Sequence, residues 1–148
     1  MPSSRGVTPR VRVERECERI GTDEVVRRCV AVLTGMDVDE GFLIVIGGPG
    51  ARSVLNGREG GVTGYWPRTW AARALLYAWD DTATPAVRAA TTDEAWRVRE
   101  MAAKVIARHR LDEGLETVSR LVTDPNPRVR AAATRARQRL TQAGWSGS

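Results

Sequence analysis

The residues able to do chemistry are few in this sequence, and they lie apart from one another. His109 is the single histidine, and the carboxylate pair Asp80-Asp81 is distant from it in the chain. A catalytic triad or a zinc site needs several such groups at defined spacing. We therefore predict no catalytic residue, no metal site and no cofactor. We expect His109 to cap a helix or edge the core, and Asp80-Asp81 to cap a helix; the alternative for the carboxylates is a general base or a cation ligand.

A glycine-rich segment, Gly47-Gly48-Pro49-Gly50, follows the apolar run at residues 42–46. This order is similar to the strand, loop and helix of a phosphate-binding site. Its spacing fits neither G-x-G-x-x-G nor the P-loop, and Pro49 lacks the backbone N–H that a phosphate would use. We interpret the segment as a turn between two helices.

Tryptophan is frequent in this chain, with five residues against a single phenylalanine. At 100° per residue, four side chains of one predicted helix share a narrow sector: Trp66, Trp70, Arg73 and Tyr77. The opposite side of that helix carries alanines and leucines that predict a core face. Two interpretations of the aromatic sector stay open. It packs on the preceding helix, or it is an exposed stripe that stacks on bases or anchors a partner.

Helix signals dominate the sequence that carries these residues. Residues 10–20 are ambiguous, because they alternate like a strand and also repeat apolar residues like a helix. Residues 1–8 and 142–148 are small and polar, and we expect them to be flexible. Capping residues, glycines and prolines predict helices at residues 22–34, 51–56, 66–79, 85–91, 94–109, 112–122 and 126–141.

An internal repeat predicts how these helices pack. A shift of 31 residues superimposes residues 67–75 on 98–106, and those on 129–137. A period of this size in a helical sequence is typical of stacked helix pairs that bury their apolar faces against neighbouring repeats. The repeat therefore predicts an all-α fold without a parallel sheet. It also predicts five buried positions between repeats: Val98, Ala102, Ile106, Val129 and Ala133.

The second helices of the repeats resemble the HEAT-repeat family. The segment DPNPRVRAAA at residues 124–133 closely resembles the HEAT signature, and DEAWRVREMA at residues 93–102 is a looser copy. The resemblance implies a short α-solenoid of stacked antiparallel helix pairs. It would contain about three HEAT-like repeats at residues 60–141. The N-terminal helices at residues 9–59 would be a degenerate repeat.

The resemblance also implies a ladder of ion pairs between adjacent repeats. In HEAT proteins, an Asp before the second helix and an Arg inside it form this ladder. Asp93 with Arg99, and Asp124 with Arg130, match that spacing.

The 31-residue shift converts the aromatic sector into a basic one. Stacked repeats bring equivalent positions side by side. The basic residues of successive repeats would therefore form one ridge, and the aromatic residues of the first repeat would lie at its end. Arg73, Lys104 and Arg135 would be neighbouring rungs of it. We predict that the ridge is the binding site; the alternative is a set of solvated arginines on exposed helix faces. Its members are Trp66, Trp70, Arg73, Tyr77, Arg97, Lys104, Arg108, Arg128, Arg135 and Arg139.

The charge distribution favours a binding role. The formal net charge is +5, and residues 85–148 carry all of it, with 12 cationic against 7 acidic side chains. Local basic fields attract acidic proteins and nucleic acids. We therefore predict a non-enzymatic HEAT-repeat interaction module, or scaffold, whose ridge binds an acidic protein segment or another polyanion. Two cysteines and no apolar run long enough for a bilayer indicate a cytoplasmic protein without a membrane partner.

The alternative function is nucleic-acid binding, through a resemblance to the HEAT-like alkylpurine DNA glycosylases. Those enzymes line a concave basic surface with Trp, Tyr and a catalytic Asp. Trp66, Trp70 and Tyr77, together with Asp80 or Asp81, supply similar residue types here. The chain is short for that family.

Overall fold

The computed structural model describes residues 7–36, 38–57, 61 and 64–145, with side chains up to residue 142. Within these residues the chain forms nine α-helices and no β-strand, so the all-α prediction is confirmed. Short 3₁₀ turns at Asp81–Ala83 and Asp112–Gly114 precede the sixth and eighth helices. The helices are α1 (Pro9–Ile20), α2 (Thr22–Leu33), α3 (Glu40–Gly47), α4 (Ala51–Leu55), α5 (Tyr65–Ala74), α6 (Thr84–Ala90), α7 (Trp96–His109), α8 (Leu115–Leu121) and α9 (Pro127–Trp145).

The ambiguous segment at residues 10–20 is helix α1. Pro9 occupies its first turn, where the missing N–H has no helical partner to lose. The Thr8 hydroxyl caps the helix by accepting a hydrogen bond from the Val11 N–H at 3.2 Å. The helix buries Val13 and Glu16. The helical spacing of three to four residues, and not the strand-like alternation, therefore describes this segment.

The apolar run at residues 42–46 lies in helix α3. The Asp39 carboxylate caps this helix by accepting from the Phe42 N–H at 3.0 Å. The sequence also predicts a weak capping pair of Asp37 with Glu40, and Asp37 lies outside the described residues. Gly47-Gly48-Pro49-Gly50 leads from α3 into α4, so the predicted turn between two helices is confirmed.

The chain divides into two compact units, and the first ends at Ala83. In this unit α1 packs against α2 and α3, and α5 packs against α1, α2 and α3. Their apolar faces form one core, which contains Val13, Val25, Phe42, Ile46 and Leu75. The predicted domain boundary at residues 59 and 60 lies outside the described residues.

The second unit begins at Thr84 and contains the clearest repeats. In this unit α6 packs against α7, α8 packs against α9, and α7 runs alongside α9. The buried Gly114 lies so close to Ile106 of α7 that a Cβ atom there would approach the isoleucine side chain to 2.8 Å. The five predicted core positions, Val98, Ala102, Ile106, Val129 and Ala133, are all fully buried, which confirms the helical register of the repeat.

Helices α5 and α9 differ most from the predictions at their C-terminal ends. Helix α5 ends at Ala74 rather than Trp79, because the next residues form tighter turns with hydrogen bonds from Leu76 to Arg73 and from Tyr77 to Ala74. Helix α9 continues to Trp145, beyond the predicted end at residue 141. Among the described residues, no helix combines the length and the apolar composition needed to cross a bilayer.

Candidate functional site

The turn before α9 is fixed by one shared carboxylate. Arg99 of α7 donates to both oxygens of Asp124, from Nε to Oδ2 at 2.8 Å and from Nη2 to Oδ1 at 3.2 Å. The Asn126 N–H donates to the same Oδ1 at 2.9 Å. Burial acts to raise the pKa of Asp124, and the hydrogen bonds from Arg99 and Asn126 outweigh it, so the pKa lies below its ordinary value.

This pair is the ladder that the resemblance implies, formed between Arg99 of one repeat and Asp124 of the next. Each ladder arginine also holds the turn that precedes its own helix. Arg99 Nη1 donates to the carbonyl oxygens of Asp93 and Glu94, and Arg130 Nη1 donates to those of Asp124 and Pro125. The same contacts therefore recur at a spacing of 31 residues.

Helices α7 and α9 begin at the same end of the second unit. Arg99 in the first turns of α7 contacts Asp124 directly before α9, and Glu100 of α7 contacts Arg128 in the first turn of α9. Because the two helices then pack side by side, they run parallel. Residues separated by 31 positions consequently occupy equivalent places on the two helices.

Four cationic residues lie at equivalent places on the two helices, and we call them the α7/α9 basic surface: Lys104 and Arg108 on α7, and Arg135 and Arg139 on α9. The three arginines are exposed and Lys104 is half-buried. Packed helices lie about 8–10 Å apart, and a spacing of four residues is about 6 Å along a helix. Among the described residues, Lys104 has a carboxylate neighbour, Glu100 at 3.6 Å, and the three arginines have none.

The other end of the predicted ridge in this unit is partly neutralised. The nearly buried Glu100 carboxylate accepts from Arg128 Nε at 3.2 Å. The guanidinium of Arg128 lies 5.4 Å from the centre of the Trp96 ring, and that of Arg97 lies 4.4 Å from it. Arg97 and Arg128 are therefore arranged around an aromatic ring and a carboxylate of their own unit.

In the first unit, the structure decides between the two interpretations of the aromatic sector for Trp70. Its side chain is buried, with 5% exposed, and packs on α3 at Gly47, where a Cβ atom would approach the ring to 2.8 Å. An exposed Trp70 is therefore wrong. Trp66 is half-buried and pairs with the Tyr65 ring at 5.2 Å, and Tyr77 is half-buried in the turns after α5.

A cleft of about 420 Å³ lies between the end of α3, α4 and α5. Trp66 and Trp70 form its aromatic side, and Pro49, Ala51 and Val54 are among its other lining residues. The cleft is apolar with few polar groups, so it has the character of a packing defect between short helices more than of a catalytic pocket.

Arg73 is engaged inside its own unit. Its Nη2 donates to the carbonyl oxygen of Ile46 at the end of α3, at 2.9 Å. Burial lowers the pKa of Arg73, and the nearby charge of Arg12 lowers it further. We therefore leave Arg73 out of the basic surface.

The residues considered for catalysis have structural partners. Asp80 Oδ1 accepts from the Thr82 N–H at 2.9 Å, and Asp81 Oδ1 accepts from Trp79 Nε1 at 3.0 Å, so both carboxylates fix the 3₁₀ turn before α6. His109 is half-buried in the last turn of α7. No group of His, Cys, Asp and Glu side chains suited to a metal occurs within the described ranges.

The family model for HEAT repeats matches residues 65–141 of this chain. The matched segment is more than half of the 148 residues and includes the ladder and the α7/α9 basic surface. The chain therefore belongs to the HEAT-repeat family, whose repeats generally mediate protein interactions. No curated protein matches the sequence.

The sequence indicates Glu100 as a carboxylate that reduces repulsion between the ridge cations, but sequence reasoning missed Trp96 as the aromatic partner of the arginines. A signal for Glu100 was present, because it precedes Lys104 by four residues, the favourable order for a helical ion pair. The stacking on Trp96 had no such signal, since it depends on the approach of α9 to α7.

Proposed function

We propose that this HEAT-repeat protein binds an acidic segment of a partner protein through the α7/α9 basic surface. One observation carries the proposal. Lys104, Arg108, Arg135 and Arg139 line two parallel, packed helices, and Glu100 is the single acidic side chain paired with any of them among the described residues.

The energetics of the free surface support a bound anion. Like charges four residues apart on one helix destabilise it by about 0.2–0.5 kcal/mol per pair. The surface contains two such pairs, Lys104 with Arg108 and Arg135 with Arg139. A carboxylate that contacts both helices would remove this repulsion, and charge-assisted hydrogen bonds to arginine are among the stronger polar contacts in proteins.

The Trp96 region would contribute differently. Arg128 is held by Glu100 and both flanking guanidiniums lie over the Trp96 ring. Their charges are already partly compensated, so a partner gains less there. We propose that Trp96 supplies an apolar contact for the same acidic segment, and that Arg108, Arg135 and Arg139 supply most of the charge recognition.

A direct test measures binding of a fluorescent peptide rich in Asp and Glu by anisotropy. Arg135→Glu should weaken binding at least about tenfold, equivalent to about 1.4 kcal/mol. The matched control is Arg88→Glu, which makes the same charge change at an exposed position of α6 in the same unit. Equal affinities for the two variants would contradict the proposal.

Double-stranded DNA of matched charge is the second ligand in this test. Binding to DNA depends steeply on salt, because phosphate contacts release counterions. A preference for the peptide at moderate salt supports the protein partner, and a preference for DNA would favour the nucleic-acid alternative instead. A cytoplasmic location belongs to the same proposal, supported by the free thiols of Cys17 and Cys29.

A further inference from the structure

The end of α3 receives an arginine from each of two other helices. Arg12 of α1 donates from Nε to the Val45 carbonyl oxygen at 3.2 Å, and from Nη1 to the Val7 carbonyl oxygen at 2.8 Å. Arg73 of α5 donates from Nη2 to the Ile46 carbonyl oxygen at 2.9 Å. Because Val45 and Ile46 are consecutive residues of one helix, the two guanidinium groups are neighbours.

Carboxylates are absent from this arrangement. Among the described residues, neither Arg12 nor Arg73 forms an ion pair with an acidic side chain. Burial lowers the pKa of both groups, and the charge of Arg12 further lowers the pKa of Arg73. The interaction with Tyr77 acts in the opposite direction, toward a higher pKa of Arg73, and it is smaller than the effects of burial and of Arg12.

The helix itself supplies only part of the missing negative charge. The C-terminal end of an α-helix corresponds to about half an elementary negative charge. Two guanidinium groups carry two positive charges, so the described residues leave most of their charge without a counter-charge. In a partly buried site this excess is screened less well than on an open surface.

Both arginines also keep donors for a ligand. Arg12 Nη2, Arg73 Nε and Arg73 Nη1 form no hydrogen bond within the described part of the chain. Both residues are half-buried rather than fully buried. The planar fork of a guanidinium fits two oxygens of one oxyanion.

We propose that Arg12 and Arg73 form a binding site for a phosphate-like oxyanion at the C-terminal end of α3. The site lies in the first unit, whereas the α7/α9 basic surface lies in the second. The oxyanion site and the α7/α9 basic surface can therefore be tested separately, and failure of one does not affect the other. Recognition here uses side-chain forks and requires no phosphate-binding loop, in agreement with the unsuitable spacing of Gly47-Gly48-Pro49-Gly50.

Titration of the full chain with inorganic phosphate in a chloride buffer of constant ionic strength tests this site. We expect saturable binding by calorimetry and a rise in Tm of about 3 °C at saturation. A parallel titration with O-phosphoserine distinguishes a free phosphate from one on an esterified group, and binding of either supports the site. Wild-type protein that binds neither ligand overturns the proposal.

The variants locate the binding. Arg12→Gln should weaken phosphate binding at least about tenfold, and Arg73→Lys should weaken it about fivefold while keeping a charge to cap α3. Arg15→Gln is the control, because Arg15 is exposed one turn further along α1. If Arg12→Gln does not fold, Arg12→Lys replaces it. Phosphate affinities equal to wild type in the folded variants of both arginines would overturn the proposal, as would equal losses in the Arg15 control.

Discussion

At the scale of single residues, the Asp124 side chain connects two repeats and also fixes the turn before α9. One carboxylate holds Arg99 of the neighbouring repeat and the backbone N–H of Asn126 in its own turn. The side chain is 5% exposed and that of Arg99 is 17% exposed, so solvent weakens the pair little.

Asp124→Asn should destabilise the protein by about 2 kcal/mol, because the amide keeps the turn contact and loses the charge-assisted pair. The folded pKa of Asp124 is lowered, so its stabilisation is present above the ordinary value near 4 and is lost as the pH falls. Unfolding in urea between pH 7 and pH 3 should show a smaller loss of stability in the variant than in wild type.

The control for this prediction is Asp112→Asn, at an exposed position of the same unit. It should leave both the stability and its pH dependence close to wild type. If the pH profiles of wild type and Asp124→Asn are parallel, the low pKa of Asp124 does not stabilise the fold.

Gly48 offers a second test at this scale. Its φ is +80° and its ψ is −160°, a backbone region that is essentially restricted to glycine and costs other residues about 1–3 kcal/mol. An added Cβ would also overlap the Arg12 guanidinium. Gly50 is in the left-handed helical region, with φ +91° and ψ −12°, where alanine costs about 1–2 kcal/mol, and no heavy atom lies within 4 Å of an added Cβ there.

Gly48→Ala should therefore destabilise the chain more than Gly50→Ala, by at least about 1 kcal/mol, because both its backbone conformation and its contact with Arg12 are less favourable. Chemical denaturation of the two variants measures the difference. Equal losses of stability would contradict both the backbone strain at Gly48 and the contact with Arg12.

At the scale of elements, α7 ends in an unusual way. Arg110 closes it in the left-handed conformation, with a φ of 51°, and it is the one non-glycine residue with positive φ in the described ranges. Its N–H donates to the Ala107 carbonyl oxygen at 3.3 Å. Glycine is the preferred residue at such a helix end, since it has no Cβ to crowd the carbonyl.

Arg110→Gly should stabilise the protein by about 1 kcal/mol, measured by thermal or urea unfolding. Arg110→Ala is the matched control, because it removes the charge and keeps the Cβ atom. It should leave stability near that of wild type. A gain of equal size in both variants would mean that charge, and not backbone strain, governs this helix end.

The repeats explain why the second unit was predicted well from the sequence. Equivalent residues such as Val98 and Val129 are both fully buried, so one periodic pattern specifies the register of both helices. The first unit has no such redundancy. The end of α5 at Ala74 carries no glycine or proline signal, and the tighter turns that follow it have no signature in the sequence.

The residues predicted to bind a partner divide in the same way. Helical phase predicted that Lys104, Arg108, Arg135 and Arg139 share a side, because phase is a local property of each helix. The environments of Trp70 and Arg73 depend on where α3 lies, and no pattern in their own helix contains that information.

At the scale of the whole molecule, charge is distributed unevenly between the two units. The segment from Thr84 onward carries 12 cationic and 7 acidic side chains, and the segment before it carries 11 of each. The second unit therefore accounts for the entire excess, and its self-repulsion should be felt at low ionic strength.

Raising NaCl from about 10 mM to about 150 mM shortens the screening length from about 30 Å to about 8 Å. We expect Tm to rise by a few degrees over this range. Arg135→Gln should reduce the dependence, because it removes one of the closely spaced cations, whereas Arg15→Gln in the first unit should not. A Tm that falls with salt in wild type would contradict the expected repulsion.

The crowding of like charges on α7 and α9 has a consequence for the amount of protein in a cell. A partner that neutralises Lys104, Arg108, Arg135 and Arg139 lowers the free energy of the folded chain by mass action. Compared with the chain bound to such a partner, the free chain would unfold more often and would be removed faster by proteases. If the proposed acidic partner binds this surface, the abundance of the chain would follow the supply of that partner, and surplus copies would be degraded without any dedicated regulator.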